Sequence, residues 1–412
     1  MFLSCGSSAP SSQSGSGLKY RAFVSQDVSA GNVSAGLIIV NAQLDVQAGV
    51  SPISAGATPG MMVVTPNRNQ TLVFSPSDNV FSIINNAGET NAANVTLPGP
   101  LPGLTESFVV SPDSLTAYVA VPTAPVSEQS QGAVEVLAVA NGNRTAEIDV
   151  PSVRYLSMSH NGNRILAFSD NSDSVAVITP GNPVAVFVGG FDRPVWAYFS
   201  SDDNTAYVVN CGAECGGTQA SVRQLNLKDN SLGSYAGVCT PGPNPQCAAS
   251  VAVVNGTTMY LAGTPVPASP CTGQQTAATT CGLLTIFDLP SMTVTNSAPI
   301  IITDGYHNRM ALGANGQLFI GARTCTEIIP PIPPPPGAEV RGCLSIYNTQ
   351  TGAVIIPPAN GDATGIQPVA KRTVVYVVQG GELAIYDTAT DKLQPTQIDI
   401  AGEAIDVKTI DF

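Results

Sequence analysis

The sequence predicts an all-β protein built from many short strands. Its 412 residues include 39 Gly and 33 Pro, so turns interrupt the chain often and long helices are not expected. Apolar residues alternate over runs of about five to eight positions that end in Asn, Asp, Gly or Pro, as in half-buried strands. Helical periodicity is not sustained anywhere. Hydrophobic residues make up 43% of the chain, which suffices for a large core and argues against global disorder.

Residues 1–18 are predicted to form a disordered tether. Ser, Gly, Pro and Gln dominate them, which is the composition of a flexible linker. The segment Phe2-Leu3-Ser4-Cys5 resembles the end of a bacterial lipoprotein signal, in which the cysteine is lipidated, although the charged start and apolar stretch are missing. We expect a lipid anchor at Cys5; the alternative is an unstructured terminus with an unmodified cysteine. No apolar run of about 18 residues occurs elsewhere, so no other membrane attachment is predicted.

From residue 19 onward the chain repeats one pattern, two short strands joined by a tight turn. The clearest copy combines residues 107–114 with residues 116–120. Six further copies follow the same order of apolar and turn residues, at 62–74, 156–168, 197–209, 250–261, 309–320 and 367–378. Copies spaced by about 40 to 60 residues are the signature of a repeat fold.

A third strand follows the two-strand pattern, and a weaker fourth strand closes the unit. Third strands are expected at residues 80–84, 133–137, 174–178, 283–288, 344–348 and 383–387. Residues 146–150 are one example of a fourth strand. Four short strands per unit are typical of β-propeller blades. The sequence therefore predicts a single β-propeller over residues 19–412.

The two ends of the chain complement each other. Residues 404–410 have the pattern of a first strand without the rest of its blade, whereas residues 20–24 and 36–40 resemble second and third strands without a first. Pairing of the C-terminal strand with the N-terminal blade closes the ring and removes two open sheet edges. Together with the seven copies this shared blade gives eight blades, and a ring of seven is the alternative.

Two copies of the repeat carry residues known from a bacterial family. Ser111-Pro112-Asp113 leads to Ala117-Tyr118-Val119, and a second copy reads Ala206-Tyr207-Val208-Val209-Asn210. The chain thereby resembles the YVTN-type bacterial β-propeller repeat proteins, whose units carry S-P-D-G-x-x-x-Y-V-x-N. The resemblance implies the fold and says almost nothing about function. Ser114 stands where the repeat has Gly, and the copies from residue 250 onward lack Ser-Pro-Asp.

Eight of the nine cysteines form pairs of close neighbours in sequence. The pairs are Cys211 with Cys215, Cys239 with Cys247, Cys271 with Cys281, and Cys325 with Cys343. No His lies near them, so local disulfides are favoured over metal sites, and disulfides indicate an oxidising compartment. Because strands alternate in direction within a blade, the loops that hold all four pairs are expected at one face of the ring. The protein is therefore predicted in the periplasm or the outer cell envelope.

A candidate ligand site lies where the first strands enter the central channel at that same face. Alignment of the copies by their turns places Glu106, Arg154 and His307 in one register. Four further side chains lie within three residues of it, namely Arg193, Trp196, Tyr306 and Arg309. Arginine forks suit a carboxylate, and Trp196 offers an apolar wall. The alternative is that a water-filled channel merely tolerates polar residues there.

Composition and missing motifs exclude several functions. With 16 Lys and Arg against 29 Asp and Glu, the net charge of −13 argues against nucleic-acid binding. No cofactor or metal is predicted, because phosphate loops, calcium loops and catalytic serine motifs are not found. We expect a monomeric, non-catalytic module that binds a protein or a small anionic ligand. The alternative is a lactonase-like hydrolase, which requires Glu106, His307 and the arginines to converge in the channel.

Overall fold

The computed structural model of the protein describes residues 15–28, 35–127, 130–239, 246–266, 280–328, 335–336 and 340–411. These residues form eight antiparallel blades in a ring, numbered from the N-terminus. The prediction of an eight-bladed β-propeller is confirmed. Cys5, the lipid anchor predicted on it and most of the predicted tether lie outside the described residues. Among the described residues, no helix has the length and apolar character needed to cross a membrane.

Each blade runs from an innermost first strand at the channel to a fourth strand at the rim. Blade 1 consists of β33 (Glu403–Thr409), β1 (Arg21–Asp27), β2 (Gly36–Asn41) and β3 (Val46–Gln47). Blade 2 consists of β4 (Met62–Val64), β5 (Gln70–Ser75), β6 (Val80–Asn85) and β7 (Thr90–Thr96). Blade 3 consists of β8 (Phe108–Val110), β9 (Thr116–Ser127), β10 (Ser130–Ala138) and β11 (Arg144–Asp149). Blade 4 consists of β12 (Val153–Met158), β13 (Ile165–Ser169), β14 (Ser174–Ile178) and β15 (Val186–Gly189).

The remaining blades follow the same order. Blade 5 consists of β16 (Pro194–Phe199), β17 (Thr205–Asn210), β18 (Ser221–Asn226) and β19 (Leu232–Gly237), with the 3₁₀ helix Gly212–Cys215 between its second and third strands. Blade 6 consists of β20 (Val251–Asn255), β21 (Thr258–Gly263), β22 (Gly282–Asp288), β23 (Thr293–Val294) and β24 (Ile300–Ile302). Blade 7 consists of β25 (Tyr306–Leu312), β26 (Gln317–Arg323), β27 (Leu344–Asn348) and β28 (Val354–Ile355). Blade 8 consists of β29 (Ala363–Pro368), β30 (Val374–Gln379), β31 (Glu382–Asp387) and β32 (Lys392–Leu393).

The ring is closed by β33, which is the first strand of blade 1. It pairs antiparallel with β1, so that Val407 lies opposite Val24, as the sequence predicted. The buried carboxylate of Asp406 accepts the backbone N–H of Met62 at 2.9 Å and the ammonium of Lys408 at 2.8 Å. Strand β33 thus joins blade 1 to blade 2 and leaves neither sheet edge open.

The core consists of separate apolar layers between neighbouring blades. One layer packs Phe168 and Val175 of blade 4 against Ala206 and Val208 of blade 5, all almost completely buried. Alternating side chains of each strand face the blade on either side, which is why most positions of the second and third strands are apolar.

The two faces of the ring are built differently, and we name them by their loops. The turn face carries the tight turns between first and second strands. The mouth face carries the entry of each first strand, the loops between second and third strands, and the loops between blades. Disulfides join Cys211 to Cys215, Cys239 to Cys247 and Cys325 to Cys343, all at the mouth face of blades 5, 6 and 7. Three of the four predicted pairs are thereby confirmed; Cys281 is also disulfide-bonded, and Cys271 lies outside the described residues.

Candidate functional site

A bridge of two tyrosines crosses the channel at the mouth face. Tyr155 extends from blade 4 and Tyr306 from blade 7, and their hydroxyl groups are in hydrogen-bond contact. Tyr155 also donates to Glu106 Oε2 at 3.1 Å, and Arg154 Nε donates to the same oxygen at 2.7 Å. We call Glu106, Arg154, Tyr155 and Tyr306 the crossbar. It divides the mouth into two openings.

The crossbar is held in one charge state by burial and by Arg154. The guanidinium of Arg154 lies 5.5 Å from the ring centre of Tyr155 and 5.8 Å from that of Tyr306. Burial opposes ionisation of Glu106, but the hydrogen bond and charge of Arg154 outweigh it and lower the pKa of Glu106. Burial raises the pKa of both Tyr155 and Tyr306, and the neighbouring hydroxyl adds to the rise at Tyr155. Glu106 is therefore an anion and both tyrosines are neutral at physiological pH.

The first opening is a cavity of about 320 Å³ between blades 4 and 5, which we call the vestibule. Its charged lining residues are Arg154, Asp170, Arg193 and Glu214. Arg154 is committed to Glu106 and Asp170, the latter at 3.2 Å. Arg193 has only one ion pair, a 3.5 Å contact with the largely exposed Asp173, and its buried Nε finds no hydrogen-bond partner among the described residues. The vestibule thus holds a guanidinium that is incompletely satisfied.

Glu214 is the titratable acid of the vestibule. It lies on the 3₁₀ helix Gly212–Cys215, which the Cys211–Cys215 disulfide closes. Its Oε2 packs closely against Gly263, where a side chain would not fit, because an added Cβ would lie 2.5 Å from that oxygen. Burial raises the pKa of Glu214 to about 7, and hydrogen bonds from Thr264 and Ser250 offset only part of that rise. Glu214 therefore changes charge near neutral pH.

The second opening lies on the other side of the crossbar, and we call it the side pocket. It has a volume of about 210 Å³, and Thr105, Glu106, Asn308, Arg309 and Arg323 supply its polar lining. Beneath the crossbar the channel widens into a chamber of about 310 Å³ with mostly apolar walls. The polar residues Glu106, Asn308 and Arg309 belong to both cavities. The side pocket and the chamber therefore adjoin each other.

The structure brings together most of the residues that the sequence predicted at the mouth. Glu106, Arg154 and Tyr306 form the crossbar, and Arg193 lines the vestibule. The other two predicted residues lie deeper. Arg309 and Trp196 line the chamber, with the indole ring centre 6.4 Å from that of Tyr155.

The predicted placement of His307 at the channel mouth is wrong. His307 is fully buried, and its Nε2 lies 2.9 Å from the carbonyl oxygen of Thr303. Burial lowers the pKa of His307 to about 4, so the ring is neutral. The strands β12 and β25 carry the same bulge, at Arg154 and at Asn308. The turn that follows explains the error, because it runs from Ser159 to Arg164 in blade 4 but only from Gly313 to Gln317 in blade 7, one residue less. His307 therefore shares the register of the buried Val153 and not that of Arg154.

Sequence reasoning missed Tyr155, Glu214 and Arg323. Tyr155 follows Arg154 directly, and the bulge turns both residues of that pair toward the channel. Glu214 could have been found from the Cys-x-x-Glu-Cys sequence of residues 211–215. A disulfide loop this short at the mouth face holds its glutamate in a defined position. Arg323 had none, since it ends an ordinary second strand.

One group of metal-ligand type occurs among the described residues. The ligand atoms of Cys325, Glu327 and Cys343 lie within 4.8 Å of one another. The two sulfur atoms are joined in a disulfide, which leaves no thiolate to bind a metal.

Comparisons with known proteins identify the fold and no family. No protein-family model and no curated protein matches the chain. The dihydro-heme d1 dehydrogenase NirN is similar in structure with a TM-score of 0.64 at 11% identity, over 96% of this chain and 75% of that chain. A putative 6-phosphogluconolactonase from Bacteroides fragilis has a TM-score of 0.53 at 12% identity, over 98% of this chain and all of that chain (100%). Identities this low show a shared β-propeller fold alone, and the resemblance to YVTN-type repeats stays a prediction.

Proposed function

We propose that the protein is a non-catalytic, extracytoplasmic binding module whose vestibule holds a small anionic ligand. The observation that carries the proposal is Arg193, a half-buried guanidinium whose Nε has no hydrogen-bond partner in the described part of the chain. Leaving a buried donor unsatisfied costs about 1–3 kcal/mol. A carboxylate beside Arg193 supplies the missing acceptor and a charge-assisted hydrogen bond.

The rest of the vestibule suits an anion of modest size. The charge of Arg154 is partly neutralised by Glu106 and Asp170, so Arg193 is the principal cation of the cavity. Glu214 is neutral when protonated and then donates a hydrogen bond instead of repelling the ligand. Its pKa of about 7 makes that state accessible under mild conditions. A volume of about 320 Å³ is at the lower end for ligand pockets, which favours a small molecule.

The lactonase alternative loses the base on which it depended. That hypothesis required His307 to converge with Glu106 and the arginines in the channel. His307 instead contacts the backbone of Thr303 and is fully enclosed. Turnover of a lactone panel by the purified protein, abolished in a folded Arg193→Gln or Glu214→Gln variant, would contradict the non-catalytic proposal and place a hydrolase in the vestibule.

The extracytoplasmic location is proposed from the disulfides. Three bonds between local cysteine pairs, together with the bonded Cys281, are rare in a reducing cytosol. The anchor at Cys5, the tether over residues 1–18, the monomeric state and a protein partner at the mouth face remain predictions.

The test is a ligand screen with matched variants. Thermal shift against acetate, lactate, succinate and citrate selects the tightest carboxylate, whose affinity is then measured by calorimetry. Arg193→Gln should weaken binding at least ~10-fold, because it removes a charge-assisted hydrogen bond. Arg164→Gln is the control, since Arg164 lies at the turn face, where its guanidinium donates to the carbonyl of Asn163. Equal affinities for the wild type and Arg193→Gln would contradict the proposal.

A further inference from the structure

We propose a second ligand site, formed by the side pocket and the chamber, for a carboxylate that carries an adjacent hydrogen-bond donor and an apolar body. Aromatic α-hydroxy and α-amino acids have this chemistry. The site lies across the crossbar from the vestibule and uses other residues, so it extends beyond the proposed function.

Three residues that line the side pocket each have a polar atom that is left unsatisfied. Thr105 Oγ1, Asn308 Oδ1 and Arg323 Nε are buried, and none has a hydrogen-bond partner within the described residues. They come from the loop before blade 3 and from two strands of blade 7, so no single loop explains them. Buried polar atoms are normally satisfied, and three orphans around one cavity indicate that a bound molecule completes them.

The orphan atoms specify complementary chemistry. Arg323 Nε is a charged donor, and it matches one oxygen of a carboxylate. Asn308 Oδ1 is an acceptor, and it requires a hydroxyl or amino group on the ligand. Thr105 Oγ1 accommodates either role. A ligand with a carboxylate and a donor on the adjacent carbon satisfies these requirements in one small fragment.

The charge balance of the side pocket favours an anion. Arg309 and Arg323 contribute two positive charges to the lining. The single acid, Glu106, is already committed to Arg154 and Tyr155. Arg309 is fixed in place, since its Nε donates to the carbonyl of Thr364 at 3.1 Å and its Nη1 to that of Asn308 at 3.0 Å. A bound carboxylate therefore meets preorganised cations without displacing an existing ion pair.

The chamber explains why the ligand should carry an apolar body. Its walls include Met61, Val63, Leu156, Trp196 and Val251, contributed by four blades. A channel that only held water would not need an indole and a thioether in its walls. The shared lining at Asn308 and Arg309 places the polar head and the apolar body of one ligand in adjoining spaces. An aromatic ring against Trp196 gains contact energy beyond its buried area.

The chain contains one tryptophan, and it lies in the proposed site, which gives a site-specific experiment. Tryptophan fluorescence is recorded while phenyllactate or phenylalanine is titrated into the full chain. We expect a saturable change that is lost in Trp196→Phe, while calorimetry still detects binding by that variant. Lactate, which lacks the ring, and phenylpropionate, which lacks the donor, should each bind at least ~10-fold more weakly than phenyllactate.

Variants separate this site from the vestibule. Arg323→Gln should weaken phenyllactate binding at least ~10-fold, Arg323→Lys less, and Arg193→Gln should leave it unchanged. Asn308→Ala should weaken phenyllactate binding while leaving phenylpropionate binding unchanged. Urea unfolding confirms that each variant is folded. The proposal is overturned if neither aromatic acid produces a saturable change, if Arg323→Gln binds as tightly as the wild type, or if lactate equals phenyllactate. Loss of binding in Arg193→Gln alone would assign the signal to the vestibule instead.

Discussion

The turn face and the mouth face of the ring satisfy their polar groups to different degrees. At the turn face, Ser111 Oγ donates to Asp113 Oδ1 at 2.5 Å, and the same hydroxyl accepts the N–H of Thr116 at 3.0 Å. Ser200, Asp202 and Thr205 repeat this arrangement in blade 5. At the mouth face, by contrast, Arg193, Asn308 and Arg323 keep buried atoms without partners among the described residues. In the proposed function, the satisfied polar groups of the turn face serve stability alone, whereas the unsatisfied ones at the mouth face bind the ligand.

In several blades the turn face also joins a blade to the preceding one through a single position of its tight turn. The third residue after the repeat's first Ser or Thr has positive φ at Arg68, Ser114, Gly162 and Asp203. Its side chain reaches the previous blade: Ser114 Oγ accepts the N–H of Asn67, and Asp203 accepts those of His160 and Asn161. Ser114, which stands where the YVTN-type repeat has Gly, thus contributes a hydrogen bond between blades from a turn position of positive φ.

The mouth face is held by disulfides in addition to hydrogen bonds, such as those that Asp304 accepts from Thr280 and Thr326, and removal of the disulfides is the largest expected effect. The disulfide between Cys325 and Cys343 closes a loop with a sequence separation of 18 residues. Replacing both cysteines by Ser opens this loop and should lower the free energy of unfolding by about 3 kcal/mol. The same change at Cys211 and Cys215, separated by four residues, should cost about 2 kcal/mol. Urea unfolding measures both, and the reverse order would contradict this comparison.

At the turn face, Gly162→Ala should lower the free energy of unfolding by about 2 kcal/mol. Its φ of 73° disfavours any side chain, and an added Cβ would lie 2.6 Å from Cδ of Pro112 in blade 3. Gly181→Ala is the matched control, because Gly181 has a φ of 83° with nothing within 4 Å of the added Cβ. The control should lose only about 1 kcal/mol. Equal losses would show that the contact with Pro112 does not matter.

Asp203→Ala tests the link between neighbouring turns. The carboxylate accepts from two backbone N–H groups, at 3.0 Å from His160 and 2.8 Å from Asn161. Because the net contribution of such hydrogen bonds is modest, we expect a loss of about 1 kcal/mol. Urea unfolding of Asp203→Ala beside Asp173→Ala, an exposed mouth-face change, checks it, and a larger loss in Asp173→Ala would reverse the assignment of the two faces.

The smallest effect is the pH dependence of binding in the vestibule. Because the pKa of Glu214 lies near 7, its carboxyl is charged above that pH and neutral below it. Carboxylate affinity should therefore rise a few-fold from pH 8 to pH 6, as repulsion by Glu214 is removed. Calorimetry with Glu214→Gln should show a flatter profile. An affinity that falls toward pH 6 in the wild type would contradict the assigned role.

The fold was predictable because its signals are local and repeated, whereas the site depends on register. Turn residues and alternating strands indicated eight blades, and the complementary ends indicated the pairing of β33 with β1. The turn after β25 is one residue shorter than the turn after β12, and only the structure shows that Asn308, not His307, shares the register of Arg154. Contacts across the ring, such as that between Tyr155 and Tyr306, join residues 151 positions apart and have no sequence signature.

The central claim is that the tight turns of the turn face contribute to stability alone and that Arg193 at the mouth face contributes to binding alone, and one paired measurement tests it. Urea unfolding and calorimetry with the tightest carboxylate of the panel are performed on Gly162→Ala and Arg193→Gln. We predict that Gly162→Ala loses about 2 kcal/mol of stability with unchanged affinity. Arg193→Gln should lose at least ~10-fold in affinity with stability unchanged within about 0.5 kcal/mol. Parallel losses of stability and affinity in both variants would contradict the account.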